Sequence, residues 1–256
     1  AATAEERLED VAQPTAEEVF GGRSGAVTAD SSFSVAVVAG ALLALVASPA
    51  LAYEAGTWVL RAGVGVVAPD SNNLVIDDGV DTITVNVDDG TSLTLMGTYM
   101  FSPNWGFDVL ASWPFNHDIN VSIINNVDPG FNPVSAKIAE TDHLPPTFSM
   151  QYHFLPDGTF QPYVGAGVNY TTFLSTDVEQ ALVDLGIDDI DLDDSFGLAL
   201  QLGADWTFGN GWLVNFDLRW IDIESDLEAT ALGVTGELGT VKIDPWVYSI
   251  NLGYSF

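Results

Sequence analysis

The last thirteen residues, Asp244 to Phe256, alternate with a period of two, and that alternation limits what the whole chain can become. Trp246, Tyr248, Ile250, Leu252, Tyr254 and Phe256 share one parity; Val247, Ser249, Asn251, Gly253 and Ser255 share the other. Successive side chains of a strand point to opposite faces, so this segment has one apolar face and one small, mostly polar face. A soluble barrel would turn the apolar face inward. Here aromatics stand at both ends of that face with aliphatics between, as in a strand that crosses a bilayer.

The pattern recurs in Thr57–Ala68, Thr91–Phe101, Trp105–His117, Leu144–Phe154, Phe160–Phe173, Ser195–Phe208 and Trp212–Ile223. In the third of these, Trp105, Phe107, Val109, Ala111, Trp113 and Phe115 make the apolar face. With the C-terminal segment the count is eight, an even number as a closed antiparallel membrane barrel requires. The expected fold is all-β: an eight-stranded antiparallel transmembrane up-and-down β-barrel over residues 53–256.

The connections are of two kinds. Ser102-Pro103-Asn104, Pro156-Asp157-Gly158 and Gly209-Asn210-Gly211 carry tight-turn chemistry. Long loops are expected at roughly 69–90, 118–141, 174–194 and 224–240, with a short helix within Thr176–Leu185. Long and short connections alternate, as outer loops and periplasmic turns do. Trp58, Trp105, Trp206 and Trp212 fall at the tight-turn ends; Trp113, Trp220 and Trp246 fall toward the long loops. All seven lie on the apolar face, which predicts two membrane girdles.

Residues 1–52 read as a presequence. Phe33–Ala47 is a short uncharged apolar run, and Ala50-Leu51-Ala52 has the small-x-small form of a signal-peptidase site, so cleavage is expected after Ala52. A membrane anchor or buried helix is the alternative, and the run is too short to span a bilayer comfortably. The positive segment expected before such a run is thin. The net charge of -30, with six basic residues, excludes nucleic acid as a partner, because phosphate binding needs clustered Lys and Arg. The acidity is assigned to solvent-facing loops.

Leu144-Pro145-Pro146-Thr147-Phe148, Gln151-Tyr152-His153-Phe154 and Pro162-Tyr163-Val164-Gly165-Ala166-Gly167-Val168-Asn169-Tyr170 resemble the OmpW family of small outer-membrane proteins. Glu54-Ala55-Gly56, Arg61-Ala62-Gly63, Trp212-Leu213-Val214-Asn215, Asp222-Ile223 and Asp244-Pro245-Trp246-Val247 are similar to that family too, so the resemblance runs from Glu54 to Phe256. It implies a bacterial outer-membrane location and a narrow apolar channel proposed to pass small hydrophobic molecules. The aromatic ending, Tyr254 and Phe256, resembles the insertion signal read by the outer-membrane assembly machinery. The loops follow the family less closely.

An eight-stranded barrel has an interior that side chains nearly fill. Arg61, Asp108, Asp205, Asp217 and Arg219 are expected to point inward, where they must pair, because an isolated buried charge is expensive. They form either a polar plug tying strands together or, with Leu110, a gate that ligands displace. Gly63, Gly65, Gly165, Gly167, Gly197, Ala199 and Gly203 either leave room inside or relieve strand curvature. Pro114, Pro145 and Pro146 cluster at the loop ends of neighbouring strands and supply no N–H to the ladder. They mark either simple strand termination or a seam that opens laterally toward lipid.

Nothing in the sequence points to an enzyme, a cofactor or a metal. His117, His143 and His153 have no metal-site or triad spacing, and no nucleophile elbow occurs. The acidic run Asp188–Asp194 lacks EF-hand spacing and reads as a solvated loop. Two functions remain: passive passage of small apolar solutes through a membrane-embedded barrel, or a closed barrel acting as an anchor or receptor through its loops. The oligomeric state is not legible.

Overall fold

The computed structural model describes residues 53–70, 73–77, 79–127, 134–184 and 186–256. The presequence, its apolar run and the cleavage site after Ala52 lie outside the described residues. The strands are β1 (Trp58–Ala68), β2 (Leu74–Asp77), β3 (Asp81–Val87), β4 (Gly90–Met100), β5 (Trp105–Ser112), β6 (Phe115–Asn125), β7 (Val134–Leu144) and β8 (Thr147–His153). There follow β9 (Phe160–Val178), a short helix α1 (Gln180–Asp184), β10 (Ile187–Leu192), β11 (Ser195–Gly209), β12 (Trp212–Ile221), β13 (Glu224–Ala231), β14 (Val234–Lys242) and β15 (Trp246–Ser255).

Eight of these close on themselves in the order β1-β4-β5-β8-β9-β11-β12-β15, with β15 pairing β1 antiparallel and β9 pairing β11. The fold is therefore the expected eight-stranded antiparallel barrel. Closure leaves no strand edge inside the bilayer, so the ladder satisfies the backbone without water. The turn at Gly209-Asn210-Gly211 has φ values of 102°, 53° and 84°. Glycine and asparagine tolerate that left-handed run, and it is why the connection is so short.

Alternation sorts the side chains as expected in the spanning strands. Trp58, Trp105, Trp206, Trp212 and Trp246 are exposed on the outer wall, and Trp220 is half-buried there. At the tight-turn end the indoles pack on outward neighbours: Trp58 on Tyr99 at 5.0 Å, Trp105 on Tyr152 at 5.0 Å, Trp206 on Phe160 at 6.2 Å and Trp212 on Tyr254 at 5.2 Å. At the other end Trp220 is the register partner of Trp246, and Trp113 is the most exposed indole at 73 %. The two rings of aromatics delimit the hydrocarbon band.

Three expectations need correction. The long connections are not loops: β2, β3, β6 and β7 continue the barrel sheet outward, and β10, β13 and β14 form a separate three-stranded sheet. Their strands bury isolated residues, such as Val85, Ile119, Ile190, Leu227 and Val241, among half-buried and exposed neighbours, so their alternation is too weak to read from sequence. The expected helix shrinks to Gln180–Asp184, because β9 runs on to Val178. Phe115 does not share Trp113's outward face. The chain breaks at Trp113-Pro114, β6 restarts in the opposite phase, and Phe115 is buried inside. Proline cannot donate to the ladder, which permits the phase slip.

The small inward residues do not leave open space. A Cβ on Gly167 would lie 1.9 Å from the Phe148 oxygen, and one on Gly203 would lie 2.3 Å from the Tyr163 ring. These glycines let neighbouring backbone and large inward side chains approach closely.

Candidate functional site: a sealed barrel axis beneath an apolar vestibule

Every inward charge singled out in the sequence meets the others on the barrel axis. Asp205 on β11 accepts two hydrogen bonds from Arg61 on β1, from Nε at 2.8 Å and from Nη2 at 2.5 Å. Arg219 on β12 donates from Nε to Asp217 at 2.8 Å and from Nη2 to Asp108 on β5 at 2.7 Å. All five are buried. The Arg61 fork meets both oxygens of Asp205 at once, while Arg219 bridges two carboxylates with one bond to each; charge-assisted bonds of both kinds are strong and directional.

Neutral side chains extend the network to every barrel strand. Thr98 on β4 donates to Asp108 at 2.7 Å, Tyr163 on β9 donates to Asp217 at 2.7 Å, and Gln201 on β11 donates to Asp217 at 2.5 Å. Gln151 on β8 donates to Gln201 at 3.1 Å, and Asn251 on β15 donates to Asn215 at 2.9 Å. Asn215 in turn donates to Asp205 at 2.8 Å. The two barrel arginines thus hold three carboxylates among buried side chains contributed by all eight barrel strands, which fill the barrel at that level.

Tyr53 was not recognised from sequence as part of this site. It is 1 % exposed, donates its hydroxyl to Asp205 at 2.8 Å, and packs edge-on against His153 at 5.3 Å. Its backbone N–H donates to the Pro156 oxygen at 3.0 Å. It closes the tight-turn mouth of the barrel. Only its proximity to the expected cleavage site could have drawn attention to it. Tyr53→Phe removes a hydrogen bond to a buried carboxylate, and the expected loss is about 2 kcal/mol of stability. Urea unfolding in lipid vesicles measures it, and an unchanged midpoint would detach Tyr53 from the network.

Leu110 is buried two residues outward of Asp108 and is the register partner of both Met96 and Thr147. Beyond it the interior changes character. Val67, Phe115, Ala199, Ile221, Ile223 and Val247 are buried together in an apolar cluster that continues into the outer strands through Val85, Leu227 and Val241. A cavity of about 20 Å³, the space of a single water molecule, is lined by Val85, Val87, His117, His143, Phe173 and Leu227 among others. This vestibule sits over the ionic network and is walled by both external sheets.

The prolines fall at the vestibule floor. The β5–β8 ladder ends at Leu110–Thr147, and pairing between the continuing strands resumes only at Phe115–His143. Ala111–Pro114 on one side and Leu144–Pro146 on the other intervene without register partners across the seam. Both sides remain bonded to their other neighbours: Trp113 donates to the Leu93 oxygen at 2.9 Å, and Tyr170 donates to the Pro146 oxygen at 3.1 Å. The interruption is therefore confined to one seam.

Over residues 54–256 the sequence matches the model of the OmpW family. The chain belongs to the OmpW family. Outer membrane protein W of Vibrio cholerae is 38% identical over 216 residues, which is 84% of this chain and 95% of that protein. Outer membrane protein W of Escherichia coli is 35% identical over 223 residues, 86% of this chain and 98% of that protein. The crystal structure of the outer membrane protein OprG from Pseudomonas aeruginosa superposes with a TM-score of 0.69 at 33% identity, covering 80% of this chain and 98% of that one. This OmpW-family barrel is a protein of the bacterial outer membrane, embedded in the bilayer, and the family is not enzymatic.

The acidic run Asp188–Asp194 is strand as far as Leu192, and Asp193 and Asp194 connect that strand to β11. Its first five residues build most of β10, with Asp188, Asp189 and Asp191 exposed and Ile190 buried in the vestibule cluster. Tyr254 and Phe256 face outward with their rings 6.2 Å apart, and the Phe256 backbone exchanges hydrogen bonds with Trp58, at 2.9 Å each.

Proposed function

We propose that this barrel gives small hydrophobic molecules a passive route into the outer leaflet, entering the vestibule from outside and leaving sideways through the β5–β8 seam. The observation that carries this is the placement of the ladder interruption at the vestibule floor, directly above the ionic network. An apolar molecule in the vestibule meets charge below it and hydrocarbon beside it. Passing the network would require desolvated ion pairs to separate, which costs several kcal/mol per ion. Passing a seam bordered by Pro114, Pro145 and Pro146 breaks no ladder bond.

In this reading Arg61, Asp108, Asp205, Asp217 and Arg219 act as a fixed plug, not as a gate that opens, and Leu110 forms its apolar upper surface. The rival reading, an anchor or receptor working through its outer strands, draws on the same sealed axis. Cysteines replacing Ser112 and Pro145, the positions that would continue the register past Leu110–Thr147, separate the two. In vesicles holding the purified barrel, oxidation is expected to abolish uptake of an apolar fluorescent solute, and reduction to restore it. Uptake that survives a verified cross-link would reject the lateral route, and its absence from the uncross-linked wild type would favour the anchor. The outward pair Tyr254 and Phe256 suits recognition by the assembly machinery before β15 closes on β1, since closure engages the backbone of Phe256.

A further inference from the structure

The tight-turn mouth of the barrel holds two buried acceptors that the folded chain leaves without a donor. Among the described residues, Gln161 Oε1 and His153 Nδ1 have no hydrogen-bond partner, and both side chains are buried. Gln161 on β9 donates from Nε2 to the Pro156 oxygen at 2.9 Å, so the free arm of its amide is the oxygen. Nε2 of His153 stands 3.2 Å from Gln151 Oε1, and the other arm of that amide donates to Gln201 at 3.1 Å. Gln151 Oε1 therefore accepts, His153 Nε2 carries the proton, and Nδ1 presents a lone pair. A buried acceptor left unsatisfied is costly, so a donor brought to it is favoured.

Both residues adjoin Tyr53. Its backbone nitrogen shares the Pro156 oxygen with Gln161, at 3.0 Å, and its ring packs on that of His153. The residues that follow are pinned to the barrel: Gly56 donates to the Met100 oxygen at 2.7 Å and Thr57 to the Glu54 oxygen at 3.1 Å, which holds the nitrogen in place. As a peptide nitrogen it has one hydrogen, already given to Pro156. Hydrolysis of the Ala52–Tyr53 bond changes that. Water supplies a hydroxyl to the Ala52 carbonyl carbon and a hydrogen to the Tyr53 nitrogen, which takes one more proton from solvent and becomes an ammonium with three donors. The interior charge favours the same group. Among the described residues the buried charged side chains are Arg61, Arg219, Asp108, Asp205 and Asp217, two guanidinium groups against three carboxylates. One negative charge is left over, and the Tyr53 hydroxyl already touches Asp205. An α-ammonium on Tyr53 brings the sum to zero, as burial of charge demands.

We propose that the tight-turn mouth is a binding site for the chain's own mature N-terminus: the α-ammonium of Tyr53, released by cleavage after Ala52, donates to the Pro156 oxygen and to Gln161 Oε1 and neutralises the buried network. His153 Nδ1 is a further acceptor at the same mouth. Removal of the presequence thereby locks this end of the barrel. The proposal rests on the cleavage site read from the sequence, and it is independent of what passes through the vestibule.

The test uses protein isolated in detergent from the outer membranes of cells expressing the full chain. Intact mass must first place the N-terminus at Tyr53; any other first residue would overturn the proposal. The pH dependence of acylation by a succinimidyl ester, mapped by peptide mass, then reads the pKa of the α-amino group, with the exposed Lys242 as internal reference. In the folded barrel that pKa is expected about one unit above its ordinary value of about 8, so the reactive amine at neutral pH is about tenfold scarcer than in the urea-unfolded chain. Desolvation alone would lower it instead. Gln161→Leu removes the free acceptor and is expected to abolish most of the rise. A folded-state pKa at or below the ordinary value, or a rise that persists undiminished in Gln161→Leu, would overturn the assignment. Should Gln161→Leu not fold, the wild-type protein formylated at Tyr53 in urea and refolded into vesicles decides: it has no ammonium, and must unfold at lower urea than the unmodified protein. An unchanged midpoint would overturn the proposal.

Discussion

Asp205→Ala is expected to destabilise the barrel by about 3–5 kcal/mol, the usual cost of removing one partner from a buried ion pair. The carboxylate accepts from both Arg61 nitrogens, from Tyr53 and from Asn215. Its loss leaves a fully buried guanidinium with Thr98 as the remaining close partner of its Nη1 at 2.5 Å and Asp108 at 4.0 Å. Urea unfolding in vesicles, followed by the mobility shift of folded barrels on gels, reads the change. The double variant Arg61→Leu with Asp205→Leu should recover most of it, since apolar replacement of a whole buried pair is often neutral or stabilising. If the single substitution were as benign as the double, the pair would not be the closed interior contact described above.

Phe216→Arg carries the second large effect, and it tests the opposite face. Phe216 lies midway along β12 between Trp212 and Trp220, opposite Ile250, and is exposed on the outer wall. That position is the middle of the hydrocarbon band, where Arg costs about 2–4 kcal/mol in membrane barrels. The same change at an exposed site beyond the Trp220–Trp246 ring, such as Val234 on β14 of the three-stranded sheet, should cost little. Equal tolerance at the two sites would contradict the placement of the bilayer between the tryptophan rings.

The two variants also separate what could be read in the chain from what could not. The outward positions, the three tight turns and the eight spanning strands follow from period-two alternation and turn chemistry, which are local properties of consecutive residues. Trp246, Tyr248, Leu252 and Tyr254 face lipid for that reason alone. Arg61, Asp108, Asp205, Asp217 and Arg219 could likewise be placed inside by parity. Their partners on other strands could not, because Arg61 meets a carboxylate 144 positions away and Arg219 one 111 positions away.

The outer third of the molecule escaped the sequence for a different reason. Strands β2, β3, β6, β7, β10, β13 and β14 stand above the bilayer, where neither face is forced to be oily, so their alternation blurs. Phe115 was misplaced because a proline reset the phase of a strand, and phase is inherited only along an unbroken ladder. Tyr53 belongs to the site only through its contacts with Asp205 and His153, the first of them 152 positions away. The vestibule joins residues from Val85 to Ile243. Alternation along each strand thus fixed which side chains meet lipid, since that choice is made residue by residue. Closure of the sheet decided which buried groups meet one another, since that depends on register summed around the whole ring.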